Sequence, residues 1–107
     1  MATLTLTGAS GTKYEFTIHD FGPDFNAVGA VYAITKRYQK QDGNYTHSVI
    51  YIGQTEDLST RFDNHHKEDC FTANGANCTC IHRDDDEQSR LDKESDLVEA
   101  YKPPCNG

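Results

Sequence analysis

The chain lacks any apolar run of the roughly 18 to 20 residues that a membrane-spanning helix needs. Its opening segment, MATLTLTGASGTKYEF, also lacks the charged and apolar regions of a signal peptide. Repeats, low-complexity tracts and composition breaks are absent, so the sequence offers no linker. With 107 residues, 36% of them apolar, it can build one core but not two. We therefore expect one domain, residues 1–107, with no membrane contact and a cytoplasmic location.

Basic residues are scarce. Ten lysines and arginines stand against seventeen acids, a net charge of −7. This argues against functions that need non-specific attraction to a polyanion, because that attraction depends on clustered bases. Net charge does not describe distribution, however, so a local basic cleft remains open. Lys36, Arg37 and Lys40 form the densest basic group and are candidates for guiding a substrate backbone; the alternative is a solvated loop.

Cysteine is sparse for a disulfide framework, with four residues. Without an export signal we expect all four to be free thiols. A zinc site is an alternative, because Cys78, Cys80 and His82 alternate along one predicted strand and share one of its faces. Further candidate ligands, Cys70, His65 and His66, lie nearby in the sequence. The C-x-C spacing lacks the second matched pair typical of zinc sites, so zinc is not favoured. The residues concerned are Cys70, Cys78, Cys80, Cys105, His65, His66 and His82.

Two pairs of β-rich segments precede the helices. Thr3 to Thr7 and Lys13 to His19 flank a turn-rich stretch and predict an N-terminal hairpin. Val31 to Thr35 and Ser48 to Ile52 predict a second antiparallel pair, joined by a long polar connection over residues 36–46. Residues 1–28 then form the hairpin and a loop, and residues 29–106 the main body of the domain.

Helical spacing begins after Glu56, with Thr55 or Asp57 able to cap the helix. Cys78 to His82 predicts a further strand, and acids at 84–86 favour the start of a last helix that Pro103 stops after about Tyr101. The fold class is therefore α+β, a small, mostly antiparallel sheet flanked by helices, with the extra N-terminal hairpin.

Some polar residues occupy positions where apolar ones are expected. Glu94 falls within the predicted inward stripe of the last helix, between Leu91, Leu97 or Val98, and Tyr101. Arg61 and His65 share one helix face, where guanidinium and imidazole suit phosphate binding and proton transfer. The simpler alternatives are that Glu94 lies at the edge of the stripe and reaches water, and that Arg61 and His65 are ordinary helix surface.

An ordered set of segments resembles the GIY-YIG nuclease family and covers residues 29–106. It is similar to the N-terminal nuclease domain of bacterial excision-repair nucleases. Each segment is weak by itself, but the order and spacing of the whole set are specific. The segments are Gly29-Ala30-Val31-Tyr32, Tyr51-Ile52-Gly53-Gln54-Thr55, the helix positions Leu58, Arg61 and His65, and ESDLVEAYKPPCN from Glu94 to Asn106.

The resemblance implies a GIY-YIG fold and a metal-dependent endonuclease, with DNA favoured over RNA as substrate. It implies one Mg²⁺ or Mn²⁺ ion held by Glu94. The remaining catalytic positions that it implies are Tyr32, Tyr51, Arg61, His65 and Asn106. The alternative is a module of the same fold that has weak or no catalytic activity and binds nucleic acid or a protein partner.

Two positions depart from the family pattern. Alanine replaces glycine in the first motif at Ala30, although the tyrosine at position 32 is kept. Asn106 is the penultimate residue, so we expect the end of the chain to fray and to weaken the site.

Overall fold

The computed structural model describes residues 2–20, 25–61 and 67–106. No helix within these ranges is both long and apolar enough to span a membrane. The residues in these ranges form three helices, five strands and a final 3₁₀ turn. In chain order they are β1 (Thr3–Thr7), β2 (Lys13–Asp20), β3 (Ala30–Gln39), β4 (Tyr45–Thr55), α1 (Leu58–Arg61), α2 (Glu68–Ala73), β5 (Cys78–Arg83), α3 (Glu87–Tyr101) and the 3₁₀ turn (Pro104–Asn106).

The five strands form one antiparallel sheet in the order β1-β2-β5-β3-β4. The predicted α+β class and the N-terminal hairpin are confirmed. The hairpin is an integral part of the sheet, because β2 pairs with β5 and thereby covers an edge that β5 would otherwise expose. Helix α3 contacts both edge strands, β1 and β4, so the sheet curls around it.

The long connection predicted between the third and fourth strands is wrong. Strand β3 continues to Gln39 and strand β4 begins at Tyr45, so only residues 40–44 form the turn. Aromatic residues such as Tyr38 and Tyr45 favour extended backbone and carry the strands further than the polar composition suggested. Gly43, with a φ of 90°, makes the tight reversal, and the Asn44 amide donates to the Asp42 carboxylate.

Helix α3 begins and ends where the sequence predicted. The Asp86 carboxylate accepts a hydrogen bond from the Ser89 amide, and Lys102, at a φ of 44°, ends the helix before Pro103. The predicted inward stripe is wrong at both ends, because Leu91 is 39% and Tyr101 38% exposed, while Arg90 is buried. Arg90 and Leu97 are seven residues apart, two helical turns, so both point inward.

The sheet has a separate apolar core on each face. On the first, which we call the tyrosine face, side chains of β3, β4 and β5 pack with α1, α2 and the C-terminal turn. On the second, the helix face, the sheet packs against α3. The tyrosine-face core contains Ala30, Tyr32, Ile34, Ile50, Tyr51, Leu58, Phe71, Ile81 and Cys105; the helix-face core contains Leu6, Phe16, Val31, Ala33, Ile52, Cys78, Cys80 and Leu97.

Candidate functional site

The two motif tyrosines lie side by side on the tyrosine face. Tyr32 pairs with Gly53 across β3 and β4, and Ile34 pairs with Tyr51. Since side chains two residues apart share a face of a strand, this register places both phenol rings together. Their ring centroids are 6.0 Å apart. Tyr32 is fully buried and Tyr51 is nearly so.

Gly53 provides the space in which the Tyr32 ring lies. A Cβ atom at this position would overlap the Tyr32 ring and fall 2.8 Å from Tyr51 Cε2. The glycine of the second motif is therefore required by the close packing of the two tyrosines, because a side chain would displace at least one ring.

Gly53→Ala tests this packing. Overpacking a filled core typically costs about 1 to 3 kcal/mol, and we expect a loss of that size in the free energy of unfolding. Urea denaturation measures it. In a Tyr32→Leu background the same substitution should cost less than half as much, because the overlapping ring is gone; an equal cost in both backgrounds contradicts the role assigned to Tyr32.

Asn106 binds the exposed edge of β4. Its Oδ1 accepts from the Ile52 amide at 2.9 Å, and its Nδ2 donates to the Ile52 carbonyl at 2.8 Å. Ile52 lies between Tyr51 and Gly53, so Asn106 fixes the backbone of the second motif. The preceding residue, Cys105, forms a disulfide with Cys70 of α2. The expected fraying at Asn106 is therefore wrong, as is the expectation that these two cysteines are free thiols.

Two of the other predicted catalytic residues, Glu94 and Arg61, belong to helices. Glu94 is half-buried on α3, which packs against β4. Val98, one turn further along that helix, lines the same cavity of about 240 Å³ as Asn106. Arg61 is the last residue of α1, and its side chain, like the whole of His65, lies outside the described part of the chain.

The predicted basic group is divided by the alternation of β3. Lys36 lies on the tyrosine face, four residues and about 13 Å along the strand from Tyr32. Arg37 points to the opposite face, where its guanidinium lies 5.5 Å from the centre of the Tyr45 ring. Lys40 is exposed in the turn after the strand. Only Lys36 therefore shares a face with the tyrosine pair.

The described cysteines of the alternative zinc set lie on two different faces of the sheet, and His65 and His66 are outside the described residues. Cys78 and Cys80 are buried on the helix face, whereas Cys70 lies on the tyrosine face and is consumed by the disulfide. Burial raises the pKa of Cys80 to about 11, which keeps its thiol protonated and a poor metal ligand. Within the described ranges, no group of three or more His, Cys, Asp or Glu side chains is placed to hold a metal ion.

A hydrogen-bonded network at the start of α3 was not anticipated from the sequence. Lys93 Nζ lies 2.8 Å from Asp84 Oδ2 and 2.9 Å from His82 Nε2. His82 Nδ1 lies 2.9 Å from the Glu15 carbonyl, which only accepts, so this nitrogen carries the proton and Nε2 accepts from Lys93. Ser89 also donates to Asp84. The network joins β2, β5 and α3.

Asp84 makes the stability that this network contributes dependent on pH. Hydrogen bonds from Lys93 and Ser89 hold the pKa of Asp84 well below its usual value of 3.8. A carboxylate whose folded pKa is depressed stabilises the fold above its unfolded pKa and loses that contribution as pH falls. We expect Asp84→Asn to cost about 1 to 3 kcal/mol at pH 7 and clearly less at pH 3, measured by urea denaturation.

Asp85→Asn is the matched control, because Asp85 is exposed and its contact with Arg83 is a long surface ion pair of 3.8 Å. Its cost should be small at both pH values. A cost for Asp84→Asn that does not change between pH 7 and pH 3 contradicts the assigned linkage.

A larger cavity lies away from the tyrosines, between the edges of β1 and β4. It has a volume of about 480 Å³ and is lined by Arg37, Tyr45, His47 and Tyr101 together with uncharged residues of β1. His47 Nδ1 lies 2.8 Å from Thr35 Oγ1, and burial, aided by the Arg37 charge, lowers the pKa of this imidazole. The cavity therefore presents one fixed positive charge in a strongly acidic protein.

Comparisons with protein-family models, with curated proteins and with solved structures found no match to this chain.

Proposed function

We propose that the chain is a nuclease of the GIY-YIG type that hydrolyses phosphodiester bonds, with DNA favoured over RNA as its substrate. The observation that supports this most is the packing of the two motifs. The ring centroids of Tyr32 and Tyr51 lie 6.0 Å apart, and Gly53 beside them has no room for a side chain. Asn106 binds the backbone of Ile52, between Tyr51 and Gly53. These residues are distant in sequence, and the resemblance had already named them as one set.

A single divalent ion fits the residues present. Mg²⁺ keeps several of its waters and is commonly held by one or two carboxylates together with substrate phosphates. Glu94 supplies one half-buried carboxylate, and water and substrate phosphate would complete the shell of the ion. When bound, Mg²⁺ or Mn²⁺ would polarise the phosphate and favour departure of the leaving oxygen.

The side chains would divide the remaining tasks. Tyr32 would accept a proton from the attacking water, and since a free phenol ionises only near pH 10, His65 would take up or relay that proton. Arg61 would neutralise charge on the equatorial phosphate oxygens. Tyr51 and Asn106 would hold the backbone and ordered water, and Lys36 would contact the strand beyond the scissile bond.

The decisive experiment is cleavage of end-labelled single-stranded DNA, duplex DNA and RNA in Mg²⁺, Mn²⁺ or EDTA. Cutting that requires the metal supports the enzyme and identifies its substrate. If folded protein with its disulfide intact cuts none of the three substrates in either metal, the proposal of an enzyme fails.

The second candidate is a binding module of the same fold. It is favoured by the burial of Tyr32, because no substrate phosphate reaches a fully buried hydroxyl unless neighbouring groups move. The cavity with Arg37 and His47 gives such a module a place to hold a partner. Tight binding without cutting in the same assay would support this function.

A further inference from the structure

Arg90 is buried in a manner unusual for a charged side chain. It is only 4% exposed on α3. Its Nε donates to Gln54 Oε1 at 3.1 Å, and its Nη1 donates to the Asp84 carbonyl at 3.1 Å. Both acceptors are uncharged. The ion pairs of the described residues join Arg83 to Asp85 and Lys93 to Asp84, so Arg90 forms no direct ion pair with a described carboxylate, although Glu56 and Glu87 line the same cavity.

A buried guanidinium whose direct hydrogen-bond acceptors are all neutral is costly, because such acceptors replace only part of its hydration. Proteins therefore bury Arg mostly where an anion neutralises it. The chain makes specific room for this one: a Cβ atom at Gly29 would collide with Nη1 and lie 2.9 Å from the Asp84 carbonyl. The position is thus built into the fold.

The guanidinium opens onto a polar cavity of about 390 Å³ lined by Gln54, Thr55, Glu56, Glu87 and Arg90. Every fully buried side-chain nitrogen or oxygen in the described ranges has a hydrogen-bond partner. The bonds of Arg90 use Nε and Nη1, so Nη2 faces the cavity with donors to spare. Gln54 adds an amide group at the same wall.

The cavity lies beside α3, at the end of the strand that carries Tyr51. Gln54 and Thr55 are the last two residues of the second segment of the resemblance, and Gly29 is the first residue of the first segment. On α3, Arg90 and Glu94 are four residues apart and therefore share one face of the helix, with Cβ atoms about 6 Å apart. A group bound at Arg90 would lie one helical turn from the carboxylate assigned to the metal.

We propose that Arg90 and Gln54 form an oxyanion site that binds a phosphodiester of the nucleic acid strand beside the scissile phosphate. The planar guanidinium fork suits phosphate oxygens, and burial strengthens the attraction. Glu56 and Glu87 at the rim of the cavity repel a bound anion. This repulsion favours a phosphate that belongs to a nucleic acid strand, because the strand is also held by other contacts, over a free phosphate ion. The role as a substrate subsite rests on the proposed nuclease function; the anion site itself does not.

Binding can be measured without catalysis. NMR titrations in EDTA would follow the Gln54 side-chain amide and the Arg90 Nε–H with inorganic phosphate, a thymidine dinucleotide whose only phosphate is its internal phosphodiester, and acetate. We expect the dinucleotide to bind more tightly than phosphate, and acetate to bind weakest. Arg90→Gln should weaken dinucleotide binding about tenfold or more, as loss of a buried charge partner does.

Arg83→Gln is the matched control, because Arg83 is an exposed arginine at the same end of the domain and should change the affinity less than about twofold. Since Arg90→Gln can also disturb folding, Glu56→Gln with Glu87→Gln gives an independent test and should tighten binding by removing repulsion. Unchanged affinity in a folded Arg90→Gln variant overturns the site, as does acetate binding as tight as phosphate.

Two further outcomes separate this inference from the nuclease. If inorganic phosphate binds but the dinucleotide does not, the subsite for a nucleic acid strand is overturned. If the dinucleotide binds through Arg90 while no substrate is cleaved in either metal, the anion site stands and the nuclease proposal fails by itself.

Discussion

Glu94→Gln should reduce metal-dependent cleavage by at least about a hundredfold. A bound divalent ion contributes several kcal/mol of transition-state stabilisation, and each 1.4 kcal/mol is a factor of ten in rate. The amide has nearly the same shape as the carboxylate but no negative charge, so the packing of α3 against β4 should survive while the metal ligand is lost. Single-turnover cleavage of the labelled substrate, titrated with Mn²⁺, measures the effect.

Glu99→Gln is the control for a charge change on the same helix, because Glu99 is exposed. It should leave the cleavage rate within about twofold of the parent, as surface substitutions away from a site usually do. Near-parental cleavage by Glu94→Gln at low metal concentration contradicts the assignment of the metal ligand. A loss in both variants would point instead to the charge of the whole helix.

Much of the fold was predictable because local patterns determine it. The alternation of β-formers gave β1, β2 and β5 almost to the residue, and Asp86 and Pro103 marked both ends of α3. Strand alternation and helix-end residues depend on interactions between neighbours in the chain, so they can be read directly from the sequence. The pairing of Tyr32 with Gly53 was implied only through the resemblance, since no spacing specifies which strands become neighbours.

The features that were missed depend on tertiary contacts. Arg90 is charged, so its hydropathy alone places it on the surface, and it is buried because the curled sheet, Gly29 and the Asp84 carbonyl surround it. An i, i+7 relation with Leu97 was the one sequence signal that pointed inward. The basic residues do not share one face for a simpler reason: once β3 extends to Gln39, Lys36 and Arg37 must point to opposite faces.

The disulfide could not be inferred either, because cysteine spacing alone does not specify a pairing. Cys70 and Cys105 are 35 residues apart, and α2 and the C-terminal turn meet only once the tyrosine-face core has formed. Asn74 Nδ2 lies 3.6 Å from each sulfur, so the bond is held within a packed junction. The disulfide is the covalent link that holds Asn106 next to Ile52.

Removal of this link, by Cys70→Ala together with Cys105→Ala, should lower the free energy of unfolding by about 3 to 4 kcal/mol. The size follows from the entropy that a cross-link removes from the unfolded chain, which increases with the length of the closed loop. We also expect Asn106 to separate from β4 more readily, which amide hydrogen exchange at Ile52 would detect as faster exchange. Urea denaturation without reductant measures the main effect.

Reductant supplies the internal control. A phosphine reductant should lower the stability of the parent towards that of the double variant and leave the double variant unchanged, because Cys78 and Cys80 carry no disulfide. Thiol titration of the unfolded, unreduced parent should find two free thiols, and four after reduction. Four thiols before reduction, or a parent that is insensitive to reductant, would show that the bond does not form and that packing alone holds Asn106 against β4.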